Sequence, residues 1–151
     1  MGEADLKELL KERASKWGWK KSIDELLDYW FKAEHKIDQE LLKIVKQLKQ
    51  QKIVCAVVTN QEKYRAEYII NKMGFGGLFD FVFPSSSVGF KKPQPEFFQH
   101  VLSKVDCNGG EVVYFDDSPG FLEGARSLGI HAYLYKNPQQ LKQVLAEFNL
   151  L

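Results

Sequence analysis

Three polar features of the sequence are suited to holding a phosphoryl group and a divalent cation. Thr59 and Asn60 follow an apolar run, Lys92 lies in a loop segment, and Asp116 and Asp117 end a second apolar run. Mg²⁺ prefers hard oxygen ligands, usually one or two carboxylates completed by water. A hydroxyl and a lysine would bind the phosphoryl oxygens, whose charge must be neutralised during transfer. These side chains predict phosphoryl chemistry if the fold brings them together.

Each feature alone has an ordinary structural explanation. A threonine at the end of a strand is commonly a helix cap, and a single lysine in a loop is commonly solvated. Two adjacent carboxylates before Ser118 and Pro119 fit a turn and a helix N-terminus, where negative charge is favourable. The functional interpretation therefore depends on the order of the three features and on the elements that carry them.

Alternating strands and helices are predicted from residue 53 to residue 151. The first apolar run is continuous, which is typical of a parallel strand covered on both faces. The predicted strands are Ile53–Val58, Phe79–Phe83, Val112–Phe115 and His131–Tyr135, and the predicted helices are Gln61–Met73, Pro95–Val105, 119–129 and one from Pro138. This pattern predicts an α/β domain with a parallel sheet and right-handed crossovers. Ligands bind beyond the carboxyl ends of such strands, where the three polar features fall.

The first third of the chain is predicted to be helical. A first helix over residues 5–17 is indicated by one apolar face, formed by Leu6, Leu9, Leu10 and Ala14. Ser22 with Glu25 three positions later forms a capping box that opens a second helix. A third helix begins near Asp38, with a buried set of Leu41, Leu42, Ile44, Val45 and Leu48. The segment Ser85–Ser87 is predicted to be a loop.

Composition excludes several classes of function. The 151 residues are 44% hydrophobic, enough for a substantial core, and the formal net charge is +1. That balance gives no electrostatic reason for nucleic-acid or membrane binding, and the apolar runs are too short to span a bilayer. The first residues show no signal segment. Cys55 and Cys107 have no metal-ligand spacing, so we expect two reduced thiols in a cytoplasmic protein.

Three segments together resemble a known family. The runs Val57–Asn60, Gly89–Phe98 and Tyr114–Ser118 resemble the second, third and fourth sequence motifs of haloacid dehalogenase-like (HAD) hydrolases. The stretch Glu123–Ile130 is similar to the family's continuation after the acidic motif. The resemblance covers about residues 41–137 well. It implies a HAD-like Rossmannoid three-layer parallel sheet in residues 37–151, with residues 1–36 as a helical cap segment.

The resemblance implies roles for the polar residues. Thr59 would hydrogen-bond the phosphoryl group, with Asn60 beside it, and Lys92 would neutralise nucleophile and phosphate. Asp116 and Asp117 would bind Mg²⁺ directly or through water. The expected substrates are small phosphorylated metabolites, and haloacids are a minority in the family. In the cap, the stretch Tyr29–Phe31 would either select the substrate or form the cap's own core.

The family's first motif has no counterpart in this sequence. HAD chemistry begins with an aspartate that ends the first strand and attacks phosphorus, followed two residues later by an acid/base aspartate. The chain has eight aspartates, none is spaced two from another, and none before Thr59 follows an apolar strand. We therefore expect the first strand to be missing and the isolated chain to be inactive. Lys92 would then pair with Asp116 or Asp117.

A missing first strand has a structural consequence. By resemblance this strand lies between the Ile53 and Val112 strands. Losing about five buried apolar residues at roughly 1.5–3 kcal/mol each would cost around 10 kcal/mol, comparable to the stability of a domain. Either the flanking strands pair directly, or a second chain lends an element. The sequence favours a homodimer or a strand-swapped assembly.

Two functional hypotheses follow. In the first, the chain is a HAD hydrolase scaffold, related to Mg²⁺-dependent phosphatases, that is truncated at its first motif. In the second, it is a non-catalytic descendant that binds phosphate or metal, or that serves in assembly. A nucleic-acid or membrane module has no supporting feature. The sequence does not identify a substrate.

Overall fold

The computed structural model describes residues 5–151 as helices alternating with short strands. The elements are α1 (Leu6–Lys16), α2 (Ile23–Ala33), α3 (Gln39–Gln50), β1 (Ala56–Thr59), α4 (Lys63–Glu67), α5 (Phe75–Leu78), β2 (Phe81–Pro84), α6 (Ser85–Val88), α7 (Pro95–Val105), β3 (Val113–Asp116), α8 (Glu123–Arg126), β4 (His131–Leu134) and α9 (Pro138–Glu147). A π-helical turn, Tyr68–Lys72, continues α4, and 3₁₀ turns precede β3 and α8. The first four residues of the predicted cap lie outside the described part.

Local sequence signals explain where most of the long helices begin. The side chains of Asp5, Ser22 and Asp38 each accept a hydrogen bond from a first-turn amide, at the starts of α1, α2 and α3. Ser22 and Glu25 form the predicted capping box. Prolines occupy the first turns of α7 and α9, where no amide hydrogen is needed.

The strands form two separate parallel pairs. β1 pairs with β2 from Ala56 opposite Phe81 to Thr59 opposite Pro84. β3 pairs with β4 from Val113 opposite His131 to Asp116 opposite Leu134. In the described range no ladder joins β1 to β3. Direct pairing of these two strands, one of the alternatives raised by the sequence, is therefore not observed.

Helices cover both faces of the strands, so the chain has three layers. On one face, α7 and α8 contribute the buried Phe97, Phe98 and Leu122, which pack with Phe83 and Tyr114. On the other face, α3 and α9 bring Ile44, Leu48 and Leu145 against Val113 and Phe115. Successive β3 residues face opposite layers, as the period of two requires. The predicted α/β architecture is confirmed.

A cavity of about 540 Å³, here called the central slot, lies between β1 and β3. Its walls include residues 53–58 and 112–115, together with apolar side chains of α3, α7 and α9. Val54, on one of these walls, is 56% exposed, so the slot is open to solvent. The slot lies where the sequence placed the missing strand.

The N-terminal helices α1 and α2 form a small layer of their own. Leu10, Leu27 and Phe31 form its core, and Tyr64 and Tyr68 from the α4 region pack against it. The predicted boundary between cap and core falls in the segment between α2 and α3. That division into 1–36 and 37–151 stays a prediction.

Several local predictions were wrong in detail. The segment Ser85–Ser87 is not a loop, because it forms the turn of helix α6. Leu9, assigned to the buried face of α1, is 51% exposed. Within the stretch Tyr29–Phe31, Phe31 is buried at 4% exposure, whereas Tyr29 and Trp30 are 66% and 41% exposed. The buried residues of α1 are Leu10 and Ala14, so the apolar face of this helix is wider than the surface it buries.

None of the helices described over residues 5–151 combines the length and the apolar character needed to cross a membrane.

Candidate functional site

Asn60 and Lys92 are joined by a pair of reciprocal hydrogen bonds. The Asn60 side-chain amide donates to the Lys92 carbonyl oxygen at 2.9 Å, and the Lys92 backbone N–H donates to Asn60 Oδ1, also at 2.9 Å. Asn60 directly follows β1, so these bonds fix the loop that carries Lys92 to the carboxyl end of that strand. The contact spans 32 residues of sequence.

Lys92 crosses from this loop to the end of β3. Its Nζ atom lies 2.5 Å from Asp116 Oδ2, and the two side chains are only 9% and 5% exposed. The predicted ion pair with one of the two aspartates is therefore present, and its partner is Asp116. The lysine charge also lies over the ring of Phe121, 5.1 Å from the centroid. Lys92 thereby ties the carboxyl ends of β1 and β3 together.

Asp116 accepts hydrogen bonds at both of its carboxylate oxygens. The Tyr114 hydroxyl donates to Oδ2 at 2.5 Å, beside Lys92, and the Ser118 backbone N–H donates to Oδ1 at 2.9 Å. Three donors thus compensate a carboxylate that has been removed from water. Buried charges need such compensation, because breaking one partner of a buried pair costs about 3–5 kcal/mol.

The electrostatics of Asp116 follow from these contacts. Burial alone would raise the pKa of Asp116, but the hydrogen bonds from Lys92, Tyr114 and the Ser118 amide outweigh it. The pKa of Asp116 therefore lies below its ordinary value, and the carboxylate stays ionised. Burial and the hydrogen bond to Asp116 raise the pKa of Tyr114, which keeps its hydroxyl a proton donor.

The remaining predicted site residues lie beside this network. Thr59 is the last residue of β1 and is half-buried, and its hydroxyl has no hydrogen bond within residues 5–151. Asp117 is exposed, and the Ser118 hydroxyl donates to its Oδ1 at 3.3 Å. The structure thus bonds Asn60, Lys92 and Asp116 into one network, while Thr59 and Asp117 stand next to it.

Two contributors to the site were not identified from the sequence. Tyr114 lies two residues before Asp116 on β3, and side chains two apart share one face of a strand, so this spacing was the available signal. Gly124 gave no such signal. A Cβ atom at Gly124 would lie 1.7 Å from the Pro93 carbonyl oxygen, so α8 can approach the Lys92 loop only because this residue is glycine.

The carboxylates offer a partial fit to Mg²⁺. Asp117 is open to solvent and supplies the hard oxygen that this ion prefers, whereas Asp116 is already engaged by Lys92. A depression of about 290 Å³ adjoins both aspartates and is lined also by Leu41, Phe115, Tyr135 and Leu141. No cluster of three or more His, Cys, Asp or Glu is found in the described residues. One or two carboxylates completed by water remain the available ligand set.

Fold and site together define a three-layer α/β protein with a lysine–carboxylate centre at the carboxyl ends of its strands. The family profile described as haloacid dehalogenase-like hydrolase matches residues 1–134. The chain therefore belongs to the haloacid dehalogenase-like hydrolase family, as the sequence motifs indicated.

Curated relatives are partial matches. The human haloacid dehalogenase-like hydrolase domain-containing protein 3 is 32% identical over 95 residues, which are 61% of this chain and 37% of that protein. The sesquiterpene phosphatase astK of Aspergillus oryzae is 27% identical over 93 residues, 62% of this chain and 47% of that protein. The matched regions therefore span less than half the length of these relatives.

Solved structures support the fold. A predicted HAD-like hydrolase from Porphyromonas gingivalis superposes with a TM-score of 0.76 at 18% identity, over 97% of this chain and 74% of that one. A HAD phosphatase from Thermococcus onnurineus gives 0.69 at 21% identity, over 87% and 68%. A Bacteroides thetaiotaomicron HAD enzyme, an aspartate-to-alanine variant in complex with magnesium and inorganic phosphate, gives 0.69 at 22%, over 89% and 72%.

Proposed function

We propose that this chain is a hydrolase-type scaffold that binds a phosphoryl group and Mg²⁺ at the carboxyl ends of β1 and β3. Its ligands are small phosphorylated metabolites, and it is related to Mg²⁺-dependent phosphatases. As an isolated chain it does not hydrolyse phosphate esters. The nucleophile of such an enzyme is an aspartate that ends a strand, and none of the eight aspartates does so ahead of Thr59.

The buried Lys92–Asp116 pair is the observation that carries the proposal. Taking two charges out of water is costly, and a well-packed apolar pair of similar volume is often equally stable or more so. A lysine held by Asn60 and aimed at a strand end is therefore better explained by a ligand than by stability alone.

Each remaining side chain has a specific task in this scheme. The Thr59 hydroxyl, free of other partners in the described range, donates to a phosphoryl oxygen. Lys92 supplies positive charge to the same group, and the Asn60 amide holds the Lys92 loop in place. The exposed Asp117 carboxylate is the primary ligand for Mg²⁺, with Asp116 as its neighbour. When bound, Mg²⁺ supplies charge that neutralises phosphoryl oxygens.

The second candidate is a non-catalytic phosphate-binding or assembly protein. One observation favours it: both Asp116 oxygens already accept hydrogen bonds from the protein, so this carboxylate is satisfied without a metal. A protein that does not catalyse a reaction can retain the Lys92–Asp116 ion pair as a structural element. The assembly form of this candidate differs from the first candidate in that it requires neither Mg²⁺ nor phosphate to bind.

The first experiment combines turnover with binding. Hydrolysis of para-nitrophenyl phosphate in the presence of Mg²⁺ is compared between the wild type and Asp116→Ala, and neither is expected to exceed the buffer rate. Calorimetry then measures binding of inorganic phosphate with Mg²⁺. Asp117→Asn is expected to weaken that binding by about tenfold or more, which corresponds to about 1.4 kcal/mol.

Asp106→Asn is the matched control. It removes the same charge at the end of α7, where the residue has a left-handed backbone that asparagine also adopts, and its binding should equal that of the wild type. Turnover that Asp116→Ala abolishes would contradict the proposed inactivity. Absence of phosphate and Mg²⁺ binding by the wild type would contradict the proposed site and favour the assembly candidate.

A further inference from the structure

The turn between α1 and α2 carries exposed aromatic and basic side chains. Residues 16–21 read Lys-Trp-Gly-Trp-Lys-Lys and are here called the tryptophan turn. Trp17 is 65% exposed and Trp19 is half-buried. The lysines of this turn are all exposed, and they are Lys16, Lys20 and Lys21. Exposed apolar surface with a polar rim marks interaction sites, so this turn is a candidate binding surface.

Hydrogen bonds fix the backbone of the tryptophan turn. Gly18 has a φ of +76°, a left-handed conformation that glycine adopts without strain. Its N–H donates to the Ser15 carbonyl oxygen at 3.1 Å, and the Trp19 N–H donates to the Ala14 carbonyl oxygen at 3.0 Å. These two bonds end α1 in a Schellman motif. The Trp19 indole N–H also donates to the Ser22 carbonyl oxygen, at 3.0 Å. The turn is therefore ordered before it binds anything, which lowers the entropic cost of binding.

The turn has a local positive charge that the net charge of the chain conceals. Residues 13–23 include four basic side chains and no acidic one. Arg13, Lys16 and Lys20 make no ion pair with another residue of the range 5–151. In physiological salt, exposed charges act over about 8 Å. The net charge of +1 gives no attraction for the molecule as a whole, but this turn attracts anions locally.

The carboxylates that follow the turn on α2 are already engaged. Asp24 Oδ1 lies 2.5 Å from Lys7 Nζ. Glu25 accepts a hydrogen bond from the Ser22 backbone N–H at 3.1 Å, as part of the capping box, and lies 3.8 Å from Lys21 Nζ. These two acidic side chains therefore leave most of the positive charge of the tryptophan turn uncompensated.

We propose that the tryptophan turn binds the surface of an anionic phospholipid bilayer. An indole ring has an apolar body and a polar N–H, and tryptophan is enriched at the level of the lipid headgroups. Each lysine or arginine near an anionic leaflet strengthens binding roughly fivefold. The contact is peripheral, because only the turn enters the headgroup region. The inference goes beyond the proposed function, since this binding needs neither Mg²⁺ nor a phosphorylated metabolite.

A protein or a nucleic acid fits this surface less well. A stable protein interface takes about 20–30 residues on each side, whereas the exposed cluster is a single turn. Single-stranded nucleic acid stacks successive bases on several open rings along a basic groove. Trp19 packs against Tyr29, with ring centroids 5.9 Å apart, so Trp17 is the more open ring of the turn. A lipid headgroup layer accepts one such ring with lysines around it.

The test measures binding of the full chain to lipid vesicles without Mg²⁺. Vesicles of phosphatidylcholine and phosphatidylserine in equal parts are compared by sedimentation with vesicles of phosphatidylcholine alone. Four basic side chains at about fivefold each predict binding at least about a hundredfold tighter to the anionic vesicles. Two of the three tryptophans lie in the turn, so the intrinsic fluorescence should shift to shorter wavelength on these vesicles.

A pair of charge variants separates the turn from the rest of the surface. Lys16→Gln combined with Lys20→Gln should weaken binding to the anionic vesicles by roughly twentyfold. Lys43→Gln combined with Lys46→Gln is the matched control, because these lysines are equally exposed but lie on α3. The control should bind within about twofold of wild type.

A second pair of variants tests the indole ring. Trp17→Ala should keep the fold, checked by circular dichroism, because the ring is largely exposed. It should weaken binding to the anionic vesicles by about tenfold and remove most of the fluorescence shift. Phe81→Ala is the control, since Phe81 is 36% exposed but lies on β2, and it should leave binding unchanged.

Three results would overturn the proposal. The first is no binding of wild type to the anionic vesicles, or equal binding to neutral ones. The second is equal weakening by the α1–α2 and α3 lysine variants, which would mean that overall charge alone drives binding. The third is tighter binding of a single-stranded oligonucleotide or of polyglutamate than of vesicles, which would assign the turn to a different partner.

Discussion

Tyr114 supports the site through a single hydroxyl group. It shares Asp116 Oδ2 with Lys92 and is buried against Phe98. Tyr114→Phe removes the donor and leaves the ring, so Asp116 keeps its charge with one partner fewer. Hydrogen bonds to charged groups contribute about 1.5–3 kcal/mol. We expect the variant to lower the free energy of unfolding by that amount, measured by urea denaturation.

Tyr133→Phe is the control for this substitution. Tyr133 lies half-buried on β4, and its hydroxyl makes no hydrogen bond to residues 5–151 of the structure. Its loss should change the unfolding free energy by less than about 0.5 kcal/mol. Equal effects of the two substitutions would mean that the Tyr114 hydroxyl does not stabilise Asp116.

At the residue scale, the sequence predicted which residues form the site better than it predicted which residues they contact. Lys92 and Asp116 were identified by residue type and position. An ion pair of Lys92 with Asp116 or Asp117 was predicted because the nucleophilic aspartate of the family's first motif has no counterpart in this sequence. The bonds between Asn60 and the Lys92 backbone could not be predicted, because they depend on how two distant loops meet. Such contacts are set by tertiary packing, which leaves no local pattern.

The contact between α8 and the Lys92 loop depends on Gly124. An added methyl group would overlap the Pro93 carbonyl oxygen, and that atom belongs to backbone, which cannot rotate away. Gly124→Ala must therefore displace α8 or the loop. Overpacking of this kind costs typically 1–3 kcal/mol. We expect a loss of at least that size, measured by urea denaturation, together with faster amide exchange around Lys92.

Gly120→Ala is the matched control at the element scale. Gly120 lies in the 3₁₀ turn before α8, and a Cβ atom there has open space around it. The substitution should change the unfolding free energy by less than about 1 kcal/mol. If Gly124→Ala is as mild as Gly120→Ala, the approach of α8 to the loop does not require glycine.

Elements were predicted in type and approximate position, but their ends and breaks were not. Apolar runs located β1 and β3, as expected for strands of a parallel sheet, and the alternation of strands with helices located β2 and β4. The helix predicted at Gln61–Met73 divides into α4 and a π-helical turn, and the one predicted at 119–129 divides into a 3₁₀ turn and α8. Periodicity reports which face is buried, and it does not report how tightly each turn is wound.

At the scale of the whole molecule, helices rather than a continuous sheet hold the two strand pairs together. Helices α3 and α9 cover one face of both strand pairs, and α7 covers the other face. The slot separates β1 from β3. The sequence motifs predicted both the layers and the gap. The motifs could not predict whether β1 and β3 pair with each other, because that depends on tertiary packing, and in the described residues the two strands do not pair.

Contacts between α4 and the N-terminal helices join the first third of the chain to the rest, and Asp5 is central to them. Its carboxylate accepts hydrogen bonds from Lys63 and Tyr64, at 2.6 Å and 2.9 Å, across nearly 60 residues of sequence. The Lys63 ammonium and the Tyr64 hydroxyl lower the pKa of Asp5 to about 2, from an ordinary value of 3.8. Because the folded-state pKa is the lower one, Asp5 stabilises the fold fully above about pH 4 and loses this effect as the pH falls towards 2.

Asp5→Asn tests this junction without removing the helix cap, because asparagine is as good an N-cap as aspartate. We expect a lower melting temperature than wild type above pH 4, with the two curves converging near pH 2. Asp28→Asn is the control, because the ion pair of Asp28 with Lys32 lies within α2 and does not reach the core. If the difference in melting temperature between wild type and Asp5→Asn kept its size down to pH 2, the shape of the Asp5 side chain, rather than its charge, would join the N-terminal helices to α4.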